Sequence, residues 1–270
     1  MALLKLDSKG ADVVALQQAL QTHGFNPGVA DGDFGLGTQA AVLAFQKSEG
    51  LNPDGVVGPM TRDRLGMPAA LPPQVPADIT ASVTATLVSR MFPQTPLGNI
   101  KTNLPFVLKA MHDADLGDKP MILMALGTIR AETASFEPIS EGQSRFNTSP
   151  GGHPFDLYDR RKDLGNRGAP DGDNFKGRGF IQLTGRVNYT TFGAELDIGA
   201  ELVDHPEKAN DPTIASQLLA LFLKDKEQRI RDALDSDDLK KARRLVNGGS
   251  NGLPDFTDAY RTGDRILPEA

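Results

Sequence analysis

A proline-rich stretch divides this chain and limits how it can fold. Residues 67–77, Met-Pro-Ala-Ala-Leu-Pro-Pro-Gln-Val-Pro-Ala, contain four prolines. Because proline fixes φ and has no backbone N–H, such a segment favours an extended spacer over a helix or strand. The sequence therefore predicts a small unit at residues 1–66 and a larger one at residues 78–270, joined by a linker. A chain of 270 residues is long enough for both.

Composition narrows the class of protein. The formal net charge is −6 with both signs mixed along the chain, so we expect no nucleic-acid partner. There are no cysteines, and the four histidines show no metal-ligand spacing, so we expect no disulfide, no metal and no other cofactor. No apolar run approaches the roughly 20 residues that span a bilayer, and the N-terminus lacks a signal-peptide core. We expect a monomer that does not insert into membranes.

The first unit contains an internal repeat. Residues 12–22 have helical apolar spacing. Asp31-Gly-x-x-Gly-x-x-Thr38 then recurs as Asp54-Gly-x-x-Gly-x-x-Thr61. In each copy a glycine-containing turn leads to a threonine, which we predict to cap a short helix. The pattern predicts three helices on turn scaffolding. On these grounds alone, a small helical cap without a ligand remains an alternative.

The second unit has the apolar periodicity of a mainly helical domain. We predict a helix that ends at Met91 and is capped by Asp78 or Thr80. Further helices are predicted at residues 103–116, 121–133, 213–223, 235–246 and 256–266. Residues 134–176 are rich in Gly, Pro, Asn and Asp, and a loop region of this length is usually functional or mobile.

Glu132 is the first candidate catalytic residue. It continues the apolar stripe of the 121–133 helix near its C-terminal end. Partial desolvation and the negative end of the helix dipole both favour a protonated carboxyl, which a general acid requires. The alternative is a structural glutamate in a salt bridge, with Arg130 or Arg145 as partner.

Glu141 is the second candidate. It lies in Ile-Ser-Glu-Gly-Gln-Ser, a polar and turn-rich setting in which a carboxylate should stay ionised. Two carboxyl groups whose surroundings favour opposite protonation states can serve as an acid and a base. Glu137 is a rival for the role of base.

Residues 177–188, Gly-Arg-Gly-Phe-Ile-Gln-Leu-Thr-Gly-Arg-Val-Asn, combine core anchors with polar groups. Three glycines permit positive φ and close approach of a ligand. We expect Phe180, Ile181 and Leu183 to anchor the segment in the core. We expect Gln182, Thr184 and Asn188 to face a cleft. A buried strand with polar edges is the alternative. Downstream, Asn247-Gly248-Gly249 is typical of a helix C-cap, and Asn247 is also a candidate ligand.

Two resemblances follow from these motifs. Leu16-Gln-Gln-Ala-Leu20, the repeated turns and Phe45-Gln46 closely resemble the peptidoglycan-binding type 1 module. Glu132-Thr133, residues 177–188 and residues 247–249 together resemble the lysozyme-like family-19 glycoside hydrolases, which include plant-type chitinases and phage endolysins. The endolysin branch is the better match. The resemblance implies a mainly α protein, in which a three-helix binding module is joined to a helical lysozyme-like domain.

The family resemblance also implies roles for residues. Family-19 enzymes invert configuration, so Glu132 would be the acid and Glu141 the base, with carboxyl groups roughly 6.5–9.5 Å apart. Thr184 would help to hold the attacking water. Sugar hydroxyl and N-acetyl groups would be bound by Gln182, Asn188 and Asn247. Residues 158–166, Tyr-Asp-Arg-Arg-Lys-Asp-Leu-Gly-Asn, also resemble the endolysin branch, with Tyr158 and Arg160 as the supporting site residues.

The chain departs from the plant chitinases at several points. Their second glutamate follows the first at a longer interval, and their first motif reads His-Glu-Thr where this chain has Ala131-Glu132-Thr133. The chain has no tryptophan, the residue that most often stacks on sugars. A stacking platform would have to come from Phe146, Phe155, Tyr158 or Tyr189.

The resemblance implies an endolysin. Such an enzyme hydrolyses the bond between N-acetylmuramic acid and N-acetylglucosamine in peptidoglycan, which would be its partner at both units. It would be made in the host cytoplasm without a signal peptide and reach the wall with a holin-type partner. A family-19 chitinase is the first alternative. A non-catalytic cell-wall-binding protein is the second, and it requires Glu132 to be structural.

Overall fold

The computed structural model describes residues 3–67, 77–249 and 251–269. The chain forms two compact units, residues 1–75 and 76–270. Helices dominate both, which confirms the predicted mainly α class. Apart from Met67 and Ala77, the predicted linker lies outside the described residues. Met67 itself is buried in the core of the first unit.

The first unit has three helices, α1 (Ala11–Thr22), α2 (Leu36–Ser48) and α3 (Pro59–Arg64). Their apolar faces meet in one core. Its largest members are Val13, Leu16, Leu20, Phe34, Val42, Phe45, Val57 and Leu65. Isolated antiparallel bridges join Leu4 to Val57 and Lys9 to Asp33, and so tie the N-terminal segment and the turns together.

The predicted threonine caps are wrong. Gly35 and Gly58 occupy the N-cap positions, while Thr38 and Thr61 are buried inside α2 and α3. Each threonine hydroxyl faces a buried glutamine amide instead of the first-turn N–H groups. Gln17 supplies the first amide, 3.2 Å from the Thr38 hydroxyl.

Two buried glutamines explain the repeat. The Gln17 amide donates to Asp31 Oδ1 at 2.9 Å and accepts from Gly32 N at 2.9 Å. Gln46 makes the same bonds to the second copy, with Asp54 Oδ1 and Gly55 N, each also at 2.9 Å. The repeated Asp-Gly turns are therefore two copies of one device, in which a buried amide satisfies the polar groups of a tight turn.

The second unit contains ten α-helices within the described residues. They are α4 (Ala85–Met91), α5 (Leu97–Asp113), α6 (Lys119–Glu132), α7 (Asp171–Asn174), α8 (Arg186–Glu195), α9 (Glu201–Asp204), α10 (Pro212–Asp225), α11 (Glu227–Asp235), α12 (Leu239–Asn247) and α13 (Leu253–Ile266). A minimal antiparallel sheet joins β1 (Ile139–Ser140) to β2 (Arg178–Gly179).

Three predicted helix limits need correction. Thr84, not Asp78 or Thr80, caps α4 by accepting from Leu87 N. Helix α5 begins at Leu97 and includes Pro105 in its interior, not in its first turn. The predicted 235–246 helix does not extend back to residue 235, where α11 ends, because Asp238 caps α12 by accepting from Lys241 N.

Helix α6 is the central helix of the second unit. All residues from Met121 to Ile129 are buried, so the helix is enclosed on every side instead of along one stripe. Gly127 permits close contact with α13, because a Cβ there would lie 2.9 Å from the Phe256 ring. Since α6 is held so firmly, the position of Glu132 at its end is well fixed.

The chain leaving α6 is fixed by α5 and the core. The amide of Asn99 donates to Ser135 O at 3.0 Å, and that of Asn103 to Phe136 O at 2.9 Å. The Phe136 ring is fully buried, with its centroid 6.1 Å from that of Phe180. The first part of the 134–176 region, predicted to be functional or mobile, is thus an ordered connection from Glu132 to β1.

A buried ion pair fixes the far end of the same region. Arg186 at the start of α8 donates to both oxygens of Asp171, at 2.8 and 2.5 Å. This guanidinium lowers the pKa of Asp171. The side-chain oxygen of Asn166 also accepts from Arg186 N, at 2.9 Å. The loop is therefore attached to the helix that carries Asn188.

Candidate active site

Glu132 forms an ion pair that the sequence did not predict. Its Oε1 lies 2.6 Å from Nη2 of Arg243, a residue 111 positions downstream on α12. Arg243 is fully buried, and its guanidinium also donates to Asn251 O. The predicted partners were wrong: Arg130 lies against Asp255, and the Arg145 guanidinium lies over the Phe146 ring. The contact places a buried positive charge directly against one oxygen of the Glu132 side chain.

Asn247 lies one turn beyond Arg243 on α12. Its Nδ2 donates to the same Asn251 carbonyl at 2.9 Å, and its Oδ1 accepts from Gly249 N at 3.0 Å. Gly248 ends the helix with φ +70°. The geometry is that of the predicted C-cap, and it also places Asn247 beside the Glu132–Arg243 pair.

Three donors hold the carboxylate of Glu141, directly after β1. Oε1 accepts from Asn147 Nδ2 and from the Tyr158 hydroxyl, each at 2.9 Å. Oε2 accepts from Gly177 N at 3.2 Å. Donors of this kind stabilise the charged form. Since Oε1 has two partners and Oε2 one, Oε2 is the oxygen with more capacity to accept a further hydrogen bond.

Asn147 is a site residue that the sequence analysis missed. Its side chain is fully buried, and every hydrogen-bonding group of its amide is used. Besides Glu141, Nδ2 binds Gly142 O at 2.9 Å, and Oδ1 accepts from Ser144 N at 2.8 Å and from Thr148 Oγ1 at 3.0 Å. A single asparagine in a polar loop carries no sequence signal that separates it from its neighbours.

Tyr158 contacts Glu141 itself. The side chain is half-buried, and burial together with the Glu141 carboxylate raises the pKa of Tyr158 to about 12. Its hydroxyl therefore remains a donor across the neutral and mildly alkaline range. Arg160 is exposed two residues further on, beside an open cavity of about 360 Å³. It has no ion pair within the described residues.

Two of the three predicted anchors of the 177–188 segment, Phe180 and Leu183, are buried, and Ile181 is partly buried against the core. The alternative of a buried strand is wrong in extent, because β2 covers two residues and the chain then turns at Gln182, whose φ is +51°. A Cβ at Gly177 would lie 2.9 Å from Gln182 Oε1 and 3.2 Å from Glu141 Oε2, so a larger residue there would displace one or both side chains. Gln182 and Glu141 therefore both lie against Gly177.

The three polar residues of this segment first bind their own backbone. Gln182 Nε2 donates to Ile139 O at 3.0 Å and to Gly179 O at 3.1 Å. Thr184 Oγ1 donates to Gln182 O, and Asn188 Nδ2 to Thr184 O, at 2.8 and 2.7 Å. Their side-chain oxygens have no donor partner among the residues that the structure describes, which leaves acceptor capacity for a ligand.

The remaining candidates, Glu137 as a rival base and the aromatic residues as stacking surfaces, differ in exposure and in partners. Glu137 is exposed and has no side-chain partner in the described parts of the chain. Phe155 and Tyr189 are buried, so the prediction that they could stack on a sugar is wrong. The Tyr189 hydroxyl is bound to Lys176 O, inside the core. Phe146 is 74% exposed and remains a candidate.

Neither a metal cluster nor a membrane span is found in the described ranges. No three His, Cys, Asp or Glu side chains there lie close enough to hold a metal ion. None of the helices there combines the length and apolar character needed to cross a bilayer.

Comparison with known proteins supports both motif-based resemblances. Residues 9–65 match the model for the putative peptidoglycan binding domain. A glycosyl hydrolase family 19 domain-containing protein of Haemophilus influenzae is 29% identical over 105 residues, 39% of this chain and 48% of that protein. Because this stretch is longer than the first unit, it extends into the second. The chain thus matches a peptidoglycan-binding domain and is similar to a family 19 domain-containing protein, which confirms the two-part resemblance.

Other relatives match shorter stretches. The N-acetylmuramoyl-L-alanine amidase CwlM of Mycobacterium tuberculosis is 48% identical over 52 residues, 19% of this chain and 13% of that protein. A spore cortex-lytic enzyme of Bacillus cereus is 40% identical over 63 residues, 23% of this chain and 24% of that protein. The chain spans less than half the length of the curated relatives named here.

Two solved structures also align. Chitinase C from Streptomyces griseus HUT6037 has 17% identity and a TM-score of 0.45, over 74% of this chain and 79% of that one. The Burkholderia AP3 phage endolysin has 20% identity and a TM-score of 0.24, over 98% and 99%. Both TM-scores are too low to establish a shared fold.

Proposed function

We propose that this protein is a peptidoglycan-cleaving glycoside hydrolase of the endolysin type. Residues 1–66 would form the binding domain, residues 67–77 a linker and residues 78–270 the catalytic domain. The observation that carries the proposal is a pair of glutamates, each held in place by partners from distant parts of the chain. Glu132 lies at the end of a buried helix against Arg243, and Glu141 is held by three donors on a loop fixed to the core.

The mechanism assigns each carboxyl group one proton transfer. Glu132 donates its proton to the glycosidic oxygen as the bond from that oxygen to the anomeric carbon breaks. A water attacks the anomeric carbon from the opposite face and loses a proton to Glu141, through Oε2. The configuration is inverted, Glu132 ends as an anion and Glu141 ends protonated. The guanidinium of Arg243 stabilises the Glu132 anion formed in this step, and exchange with solvent restores both groups.

The remaining residues bind substrate in this proposal. Thr184 helps to hold the attacking water, while the free side-chain oxygens of Gln182 and Asn188 accept hydrogen bonds from sugar hydroxyl and amide groups. Asn247 and Arg160 extend the binding surface on either side. We infer lysis of a host bacterium as the setting, with release by a membrane-permeabilising partner, on the basis of the endolysin resemblance.

Tyr158 is proposed to position the base. We expect Tyr158→Phe to lower kcat about ten-fold or more, because one hydrogen bond to a charged group is lost, and to leave KM nearly unchanged. Tyr260→Phe, which removes the hydroxyl of a buried tyrosine on α13 that has no contact with either glutamate, is the matched control. Steady-state kinetics on soluble glycan strands measure both. A raised KM with unchanged kcat would instead make Tyr158 a substrate ligand.

A chitinase is the second candidate function. The similarity to a family 19 domain-containing protein favours it. The match of residues 9–65 to a peptidoglycan-binding domain favours a wall substrate instead.

Product analysis tests the proposal. Purified Gram-negative peptidoglycan is digested, and the new ends are reduced and identified by mass spectrometry, with chitin oligosaccharides digested in parallel. We expect reducing-end N-acetylmuramic acid. Reducing-end N-acetylglucosamine would make the enzyme a glucosaminidase, and free stem peptides with intact glycan would refute glycosidase action. Cleavage confined to chitin would select the alternative.

A further inference from the structure

We propose that Arg145 and Phe146 form a binding element for a glycan that bears carboxylate groups. The Phe146 ring would pack on a sugar face, and the Arg145 guanidinium would bind a carboxylate on the peptide branch of the neighbouring sugar. The inference rests on the proposed function and specifies how the same site would distinguish its substrate.

Exposed apolar side chains lie next along the chain to the residues that hold Glu141, and close to Glu141 itself. Phe146 is the most exposed large apolar residue of the second unit within the described residues. Ile139, the first residue of β1, is also exposed. So is Leu157, which immediately precedes Tyr158. Exposed apolar groups that gather at one place, and not singly over the surface, mark a ligand-binding site.

The position of Phe146 is fixed relative to the base. The next residue, Asn147, is fully buried and donates directly to Glu141 Oε1. Its own Oδ1 accepts from Ser144 N, and Ser144 Oγ accepts from Phe146 N at 3.3 Å. The exposed ring is therefore carried by a tight turn whose closing side chain is a ligand of the base.

Arg145 supplies a positive charge that the protein does not neutralise. Its guanidinium carbon lies 4.9 Å from the centroid of the Phe146 ring, a cation–π arrangement. No acidic side chain pairs with Arg145 among the described residues. The nearby acids are otherwise engaged: Asp156 with Ser149, Asp159 with His153 and Gly172, and Asp163 with Arg161.

The charge pattern selects one class of glycan. The chain as a whole has a net charge of −6. Near the base, however, Arg145 lies two residues from Asn147 and Arg160 two residues from Tyr158. Neither arginine has an ion pair among the residues that the structure describes. Chitin is neutral, whereas peptidoglycan carries carboxylates on its branches. Unpaired cations beside a stacking surface attract a carboxylate-bearing glycan and give a neutral one no advantage.

Kinetics on two substrates that differ only in charge test the proposed role of Arg145 and Phe146. The substrates are soluble peptidoglycan strands and the same strands with carboxylates converted to neutral amides. For Arg145→Gln we expect kcat/KM on native strands to fall about five-fold, with little change on amidated strands and a weaker salt dependence. For Phe146→Ala we expect a loss of about ten-fold on both. Arg229→Gln, at an exposed arginine on α11, is the control.

The outcomes separate this inference from the proposed function. If the wild-type chain cleaves neither substrate, the proposed function fails. If it cleaves native strands, and Arg145→Gln keeps the wild-type preference for native over amidated strands, the inference is overturned while the function stands. Unchanged kcat/KM for Phe146→Ala would remove the stacking role.

Discussion

Replacing Glu132 with glutamine is expected to lower hydrolysis of peptidoglycan by about a thousand-fold, because the leaving oxygen then receives no proton. Glutamine has nearly the same shape and can still accept from Arg243 Nη2, so the fold should be kept. Binding to insoluble peptidoglycan should survive, since the proposed binding domain is the first unit. Turbidity loss, co-sedimentation and thermal unfolding measure the three properties.

Each outcome for Glu132 has a distinct meaning. Lost hydrolysis with retained binding and a retained folded state supports the acid. Activity within ten-fold of the wild type would give Glu132 a structural role, the alternative that its ion pair with buried Arg243 makes physically reasonable. If the unfolding temperature falls steeply, Glu132→Asp provides a second test, because it keeps the charge but moves the carboxyl group away from the substrate.

The second large effect is expected at Glu141. Glu141→Gln should lower kcat by about a hundred-fold or more, because water is no longer deprotonated as it attacks. The control is Glu137→Gln, which changes the rival carboxylate four residues away and should retain near-wild-type activity, since that exposed side chain is not held. A second variant, Glu141→Ala, tests the same role by rescue. Azide is a nucleophile that needs no deprotonation, so added azide should replace water and restore turnover. The expected product is a glycosyl azide of inverted configuration.

Comparison of the two glutamate positions decides the base. A large loss at Glu137 with near-normal activity at Glu141 would transfer the role to Glu137 and would leave the three hydrogen bonds of Glu141 as loop architecture. Equal large losses at both would argue that the loop, and not one carboxylate, is sensitive to substitution. A glycosyl azide of retained configuration would exclude inversion.

Sequence periodicity located Glu132 correctly at the end of a helix, but not its partner. Arg243 lies on another helix, 111 residues away, and no spacing rule links the two. Asn147 was missed for a similar reason, since its importance comes from four hydrogen bonds that exist only in the folded loop.

Predictions made from neighbouring residues alone were wrong where tertiary packing buried the side chain. Thr38 and Thr61 follow a glycine turn, as caps do, yet each faces a buried glutamine that needs an acceptor. Phe155 and Tyr189 have the chemistry of sugar-stacking residues, but tertiary packing encloses both. The glycine-framed segment was predicted better, because its apolar anchors and its turns are encoded within the same twelve residues.

Two asparagines of α5 hold the segment of chain that joins Glu132 to Glu141. Asn99 and Asn103 donate to backbone carbonyls in this segment. Neither asparagine forms a hydrogen bond with the side chain of Glu132 or Glu141. In the proposed mechanism, the spacing between the two carboxyl groups would therefore depend on side chains that touch neither of them. Substitution of Asn99 or Asn103 would then change the fit of the attacking water without altering any group that is proposed to touch the sugar.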